Sequence, residues 1–318
     1  MTTPRVSVCV VTYNHERYIH DCIMTVLAQA HDVPLEVLIG DDQSTDRTEE
    51  IARALAARFP DAIRYFRHQN RLGPGGNYQF LIGQTRGEYI AHLDGDDFWM
   101  PGKLVKQISV MDKDPGVSAS YTNALCINDD GVSIGIFNNL QPSEFEINYL
   151  FSRGNFLNHS SMLYRSSAKQ DLIDWPSDFV DYKIHIMLAA KGKISYLNCL
   201  GVVYRVNSTT SMIVHQGEKV RALYWQAIDE VSKGVVQSNC RLSASADFLR
   251  RIFLRSVKVR SLDLLKKWWP IVSTSHHEHK VMLALLVTRS TVITTYRELL
   301  TRIAARIGGT RLRVIYWR

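Results

Sequence analysis

Apolar stretches of two different periods alternate through the first 115 residues, and this constrains the fold more than any other feature of the chain. Val6–Val11 is a β-branched run, the pattern of a strand covered on both faces. His15–Ala28 then places Ile19, Ile23, Val26 and Leu27 at helical spacing. Leu35–Ile39 reads as a second strand. Asp46 stands where an N-cap would, with Glu49 three residues on, ahead of Ile51, Leu55 and Phe59 on one helical face. Ala62–Phe66 is a third strand, Asn77–Gln84 a short helix, Tyr89–Leu93 a fourth strand, and Lys103–Met111 a helix introduced by Pro101. Strands separated by helices cannot pair as hairpins, so they pair in parallel through crossovers. The expected fold is therefore α/β: a mostly parallel open sheet flanked by helices.

Residues 117–215 are less regular. Val117–Ile127 reads as a strand, and Asn128-Asp129-Asp130-Gly131 as a turn into another. Asp181–Ala190 has helical spacing and Ile194–Cys199 a strand pattern. From Glu218 the pattern is helical, with Trp268, Trp269 and Pro270 expected to mark a break. Two regions follow, 1–217 and 218–318, and their charge separates them. Residues 241–318 carry 16 Lys and Arg against 4 Asp and Glu, whereas the preceding 240 carry 22 against 27. A mildly acidic body with a strongly basic helical extension calls for an anionic partner at the extension. That tail has no groove-reading motif and no aromatic stacking platform, so a nucleic-acid-binding protein is the weaker reading and no nucleic acid is expected.

With 46% apolar and 22% charged residues the chain can bury a sizeable core. No apolar run approaches the roughly 18 residues of a spanning helix. The opening residues lack the order of a signal peptide. Five scattered cysteines (Cys9, Cys22, Cys126, Cys199, Cys240) suit reduced thiols, so a cytoplasmic location is expected.

In an open parallel sheet, ligands bind outside the carboxyl ends of the strands. The first strand runs into Thr12-Tyr13-Asn14, the second into Asp41-Asp42-Gln43-Ser44-Thr45-Asp46, and the fourth into Asp94-Gly95-Asp96-Asp97. So many carboxylates at adjacent strand ends repel one another unless some bind donors or a cation. Hard oxygen ligands suit Mg²⁺ or Mn²⁺, held by one or two carboxylates together with substrate phosphates.

These motifs carry a resemblance. VSVCVVTYNHERYI, LIGDDQSTD, GEYIAHLDGDDFWMP and VDYKIHIMLAAKGKISYL, in that order over about residues 5–212, resemble the inverting glycosyltransferases of family 2, which have the nucleotide-diphospho-sugar transferase fold of type A. The resemblance implies a donor site for a nucleotide-diphosphate sugar at Thr12, Tyr13, Asn14, Asp42, Asp94 and Asp96. It implies metal contacts from Asp96 and Asp97, with Asp97 coordinating directly. Asp181 matches the general base that takes the proton of the acceptor hydroxyl. His159 and Asp178, the nearest acid upstream of Asp181, fall on the acceptor side. The Gln-x-x-Arg-Trp motif of processive enzymes is missing, and Tyr204-Arg205 with Ser208–Met212 resembles the non-processive members. A saccharide or lipid-linked saccharide is the implied acceptor, in surface polysaccharide synthesis, and an anionic membrane surface a possible partner of the tail.

Plainer readings stand beside these. Asp46 and Asp181 both suit helix caps, and Asp-Gly in the acidic motif suits a solvated turn. His159 suits a satisfied structural histidine. Gly73-Pro74-Gly75-Gly76 reads as a flexible loop over the donor pocket. His276-His277-Glu278-His279 reads as a solvated turn, and Trp268–Trp269 as core packing in preference to a membrane anchor. In Val281–Ile307 the stripe Leu285, Val292, Leu299 and Ile303, flanked by Arg289, Arg297, Arg302 and Arg306, serves either a membrane surface or packing against protein. A sugar-nucleotide nucleotidyltransferase shares the sheet type, but TYNHERY lacks the Gly-rich basic loop such enzymes carry after the first strand.

Overall fold

A computed structural model describes residues 3–176, 178–206, 217–231, 235–306 and 313–316. Ser208–Met212, Gly308–Gly309, Arg311 and Arg318 lie outside the described residues, as do the side chains of Arg302, Ile303 and Arg306.

The alternation read from the sequence is realised as β1 (Val6–Thr12), α1 (Ile19–Leu27), β2 (Leu35–Asp41), α2 (Thr48–Arg58), β3 (Ile63–Arg67), α3 (Gly73–Gln84), β4 (Tyr89–Asp94), the short β5 (Phe98–Trp99) and α4 (Lys103–Lys113). β1 pairs in parallel with β2 on one side and with β4 on the other, and β2 carries β3 in parallel at its outer edge. The chain thus builds outward from β1 in one direction, then returns to extend the sheet on β1's other side. That reversal leaves a crevice at the carboxyl ends of β1, β2 and β4, where ligands bind in doubly wound sheets. β1 is buried at all seven positions. Val6, Val8 and Val10 join the apolar cluster with α1 and α2, while Cys9 and Val11 face the cluster with α3, the period-two pattern of a strand covered on both sides.

The second half follows as β6 (Val117–Ile127), β7 (Ser133–Asn138), β8 (Glu144–Phe145), α5 (Ile147–Arg153), β9 (Leu163–Arg165), α6 (Lys169–Ile173), α7 (Asp181–Lys191) and β10 (Lys193–Arg205). β9 lies antiparallel between β4 and β6, and β10 runs parallel to β6. β10 reaches back to the crevice, ending beside the turn after β4.

The helical extension comprises α8 (Gly217–Val231), α9 (Ser238–Lys258), α10 (Asp263–Thr274) and α11 (Lys280–Arg306), and β11 (Val314–Tyr316) adds in parallel to β7. Trp225, Phe248, Trp268 and Leu283 sit in the same apolar cluster as α3, α5 and α7. The boundary at 217/218 therefore does not divide two cores. Trp268-Trp269-Pro270 does not break the helix: Pro270 lies inside α10. Burial of Trp268, edge-on to Phe248 at 5.2 Å, and of Val272 offsets the backbone bond that Pro270 cannot make. His276 turns inward, 2.8 Å from Ser245 Oγ, and His277–His279 form a single 3₁₀ turn. Gly73-Pro74-Gly75-Gly76 is not a free loop but the first turn of α3, where proline's missing N–H costs nothing. No helix among the described residues is long and apolar enough to cross a membrane.

Candidate active site

A cleft of about 380 Å³ opens at the switch point, and Thr12, Tyr13, Asp42, Asp94, Asp96, His159 and Asp181 all line it. At its donor side the ends of β1 and β2 are stitched together. Asn14 and Gln43 adopt left-handed backbone (φ 56° and 62°), so both strands turn sharply as they leave the sheet. Asn14 is a structural partner of the second turn: its Oδ1 accepts from Thr45 N at 2.8 Å, and its N–H donates to Ser44 Oγ at 3.0 Å. Asp46 accepts from Thr48 N and Thr48 Oγ1 at the start of α2, so its role there is to cap. Asp42 is buried and accepts from the backbone of Leu72 at 2.6 Å and Gly73 at 3.0 Å, which ties the start of α3 to the cleft. Arg71 lies over the Tyr13 ring, 3.7 Å from its centroid.

The acidic turn after β4 presents its three carboxylates in different directions. Gly95 passes so close to β1 that an added Cβ would lie 2.7 Å from His15 Nδ1 and 2.8 Å from Thr12 Oγ1, which explains the glycine between the aspartates. Asp94 lies 3.0 Å from His92 Nε2. Burial raises the Asp94 carboxyl, but the His92 ring together with His15 and the Ser160 hydroxyl more than offsets it and holds its pKa below the ordinary value. Asp96 faces the cleft, with His15 Nε2 3.9 Å away. Asp97 does not face it. That side chain is 1% exposed, with Oδ1 accepting from Arg205 N at 2.8 Å and Oδ2 from Ser160 Oγ at 2.6 Å. Burial, with Asp96 and Asp94 close by, pushes the Asp97 carboxyl well up. Asp97, expected to coordinate a metal directly, is instead turned into the protein, and of the turn's three carboxylates only Asp94 and Asp96 line the cleft. Among the described residues no three His, Cys, Asp or Glu side chains converge on one point. Two hard carboxylates beside an open cleft fit a Mg²⁺- or Mn²⁺-type ion completed by phosphate oxygens.

Opposite this turn, Asp181 opens α7. Its Oδ1 accepts both from Tyr182 N at 2.7 Å and from Asn155 Nδ2 at 3.2 Å. Burial raises its pKa above the ordinary aspartate range, only partly opposed by those two donors, which makes it a stronger base when ionised. Asp178 is elsewhere: it is exposed and pairs with Lys219 Nζ at 2.8 Å. His159 packs against His92 with ring centroids 3.9 Å apart.

Apart from Arg205, marked by the Tyr204-Arg205 motif, the residues that support the cleft carried no signal in the sequence. Ser160 joins Asp97 to the backbone of Asp94, Arg205 closes over Asp97, Arg71 covers Tyr13, and Asn155 and His185 stand behind Asp181. His92 alone was marked by position, a polar residue in a buried strand two residues before the acidic motif.

The glycosyl transferase family 2 profile matches residues 7–172. An uncharacterized protein of Mycobacterium tuberculosis is 32% identical over 224 residues, covering 69% of this chain and 63% of the relative, so the match spans less than two thirds of that relative's length. Escherichia coli WfaP, a UDP-Glc:alpha-D-GlcNAc-diphosphoundecaprenol beta-1,3-glucosyltransferase, is 29% identical over 205 residues, 64% of this chain and 78% of its own. The fold is similar to that of Staphylococcus aureus TarS 1–349 in complex with UDP-GlcNAc (TM-score 0.62, 18% identity, 96% of this chain and 92% of the other). It is also similar to that of the mannosyltransferase PcManGT from Pyrobaculum calidifontis in complex with GDP-Man and Mn²⁺ (TM-score 0.53, 18% identity, 92% and 88%). With a cleft at the switch point of an α/β sheet and a family profile that spans more than half its length, the chain belongs to glycosyltransferase family 2.

Proposed function

We propose that this family 2 glycosyltransferase is a metal-dependent, inverting, non-processive enzyme that moves one sugar from a nucleotide-diphosphate donor to a hydroxyl of a saccharide acceptor. The observation that carries this reading is that the acidic turn after β4 and the carboxylate opening α7 line the same cleft. Tyr13 offers a ring face to the nucleobase, and Asp42 keeps lone pairs for a base N–H beyond its two backbone partners. Asp94 and Asp96 would hold Mg²⁺ or Mn²⁺ beside the diphosphate, and Asp97 holds the turn from beneath. When bound, that cation supplies charge neutralisation for the departing nucleoside diphosphate. Asp181 receives the acceptor hydroxyl's proton as its oxygen bonds to the anomeric carbon and the bond to the diphosphate breaks. One displacement from the opposite face inverts that carbon.

The acceptor we favour is a lipid-linked saccharide, in surface polysaccharide synthesis; the lipid diphosphate named in WfaP's activity supports it. So does α11, whose Leu285, Val292 and Leu299 stand 60%, 63% and 54% exposed, with Arg289 and Arg297 exposed beside them. Such a face suits an anionic membrane surface at the cytoplasmic side, with 1–217 as the catalytic region and 218–318 as the membrane-surface or assembly region. The test is a screen of UDP- and GDP-sugars with Mn²⁺ or Mg²⁺, reading release of nucleoside diphosphate, followed by NMR of the product anomer. Release that depends on the cation and an inverted product are expected. Full turnover in excess chelator, or retained configuration, overturns the reading.

A further inference from the structure

Asp181 is held from behind by a line of side chains that returns to the floor of the cleft. Asn155 Nδ2 donates to Asp181 Oδ1 at 3.2 Å. Asn155 Oδ1 lies 3.1 Å from His185 Nδ1, and His185 Nε2 lies 3.2 Å from His159 Nδ1. His185 is completely buried, edge-on to Tyr121 at 5.1 Å, whereas the His159 ring lines the cleft.

The direction of each link follows from the carboxylate end. A carboxylate only accepts, so Asn155 turns its amide N–H to Asp181 and its carbonyl to His185. A carbonyl also only accepts, so His185 carries its proton on Nδ1 and leaves a lone pair on Nε2. That lone pair needs a donor, and His159 supplies it from Nδ1. The polar atom left to the His159 ring is then Nε2, with a lone pair. Reversing any link would set two lone pairs or two N–H groups against each other in a buried site, at the cost of an unmade hydrogen bond. Protonating His185 would do the same, because its Nε2–H would then meet the Nδ1–H of His159. The titratable groups around the two rings are His92 from β4, Tyr78 from α3, Tyr121 from β6 and Asp181. Burial, together with His92, pushes both histidines down, His185 to about 3. Burial thus favours the neutral form of both rings.

We propose that Asn155 and His185 are positioning residues that aim Asp181, and that the same line fixes His159 as a neutral hydrogen-bond acceptor for a sugar hydroxyl in the cleft. The proposal rests on Asp181 being the base. Both Asn155 and Tyr182 bind Oδ1, which keeps Oδ2 for the incoming proton. A neutral ring offering a lone pair favours a hydroxyl edge and disfavours an anionic oxygen, so the group seated there belongs to the sugar and not to a phosphate.

The first test needs no substrate. In full-length protein labelled with ¹⁵N-histidine, long-range ¹H–¹⁵N NMR should show His159 and His185 as Nδ1–H tautomers that do not titrate between about pH 5.5 and 9. An Nε2–H tautomer at either ring, or titration inside that range, overturns the proposal. The second test uses His185→Phe, which keeps the ring against Tyr121 but removes both links, and Asn155→Ala as an independent break. Each should lower kcat for transfer by about 10- to 100-fold, the scale expected for a misaligned reacting group. The donor KM and the Mn²⁺-dependent binding of UDP or GDP should stay unchanged, and His185→Gln, with one donor and one acceptor, should recover part of the rate. Unchanged kcat in both breaking variants, while Asp181→Asn abolishes transfer, defeats the positioning role alone. Full transfer by Asp181→Asn defeats the assignment of the base, whatever the tautomers.

Discussion

Asp96 and Asp97 are neighbours in sequence with opposite expected fates on substitution. Asp97 accepts two buried hydrogen bonds, from Ser160 Oγ and Arg205 N. Asp97→Ala leaves both donors in a site closed to water, at about 1–3 kcal/mol for each group left unsatisfied. Two effects reduce the loss. Ser160 Oγ can turn to Asp94 Oδ2, already 3.4 Å away, and a buried like charge beside Asp94 and Asp96 disappears. A net loss of about 2 kcal/mol remains, which at about 2.1 cal/mol/K of unfolding entropy per residue lowers the Tm of a 318-residue chain by roughly 3 °C. Asp97→Asn keeps the volume and one acceptor, so its shift is smaller. Asp96→Asn should move Tm by less than about 1 °C, because it keeps the volume of a side chain that faces the open cleft. It should instead remove the Mn²⁺-dependent part of UDP or GDP binding. Calorimetric titration of each nucleotide with and without Mn²⁺, beside thermal melts, reads both effects. The opposite pattern refutes the reasoning: Asp97→Asn losing the cation dependence at unchanged Tm, while Asp96→Asn keeps it.

Asp181→Asn should reduce transfer by at least about 10²-fold while nucleotide affinity holds, measured by single-turnover transfer and calorimetry. Because burial raises the Asp181 pKa and the base must be ionised, the acid limb of kcat/KM should fall at a pH above the ordinary aspartate value of about 3.9. A limb at or below that value speaks against Asp181. Leu285→Glu with Val292→Glu changes two exposed positions and should abolish salt-sensitive co-sedimentation with anionic vesicles without shifting Tm; unaltered binding would assign membrane contact elsewhere. Buried Glu36 is opposed by desolvation, yet Arg86 at 2.7 Å and Ser7 at 2.6 Å hold its pKa below the ordinary value. A depressed carboxylate stabilises the fold above its unfolded pKa of about 4.3, and that contribution fades as pH falls through the folded value. Glu36→Gln should therefore lower Tm at pH 7 and flatten the acid dependence of Tm below about pH 4.

The elements of the first 115 residues were legible because apolar period is a local property. The β-branched run Val6–Val11 reads as a strand buried on both faces, and Ile51, Leu55 and Phe59 read as one side of a helix. The placement of Thr12–Tyr13, Asp42 and the acidic turn at strand ends followed from that same alternation. The glycine-rich start of α3 was misread because Gly and Pro ordinarily break helices. Here Asp42, 30 residues back, receives the backbone N–H groups that lead into that turn. Helix α10 runs through Pro270 for a comparable reason, since the core that buries Trp268 is assembled from α9 and the helices under the sheet.

What only the tertiary structure decided is which way the chemical groups face. Asp96 and Asp97 are indistinguishable in sequence. Asp97 turns inward because Ser160, 63 positions later, and Arg205, 108 positions later, bring the buried donors that make its burial tolerable. Asp181 is likewise aimed by Asn155, 26 positions before it, and Asn155 by His185, 30 positions after. Local pattern dictates which backbone forms where, because helix and strand bonds close over a few residues. The direction of a polar side chain in a turn is set by whichever distant donor or acceptor the packed sheet delivers to it, and that partner is chosen only when the sheet has closed.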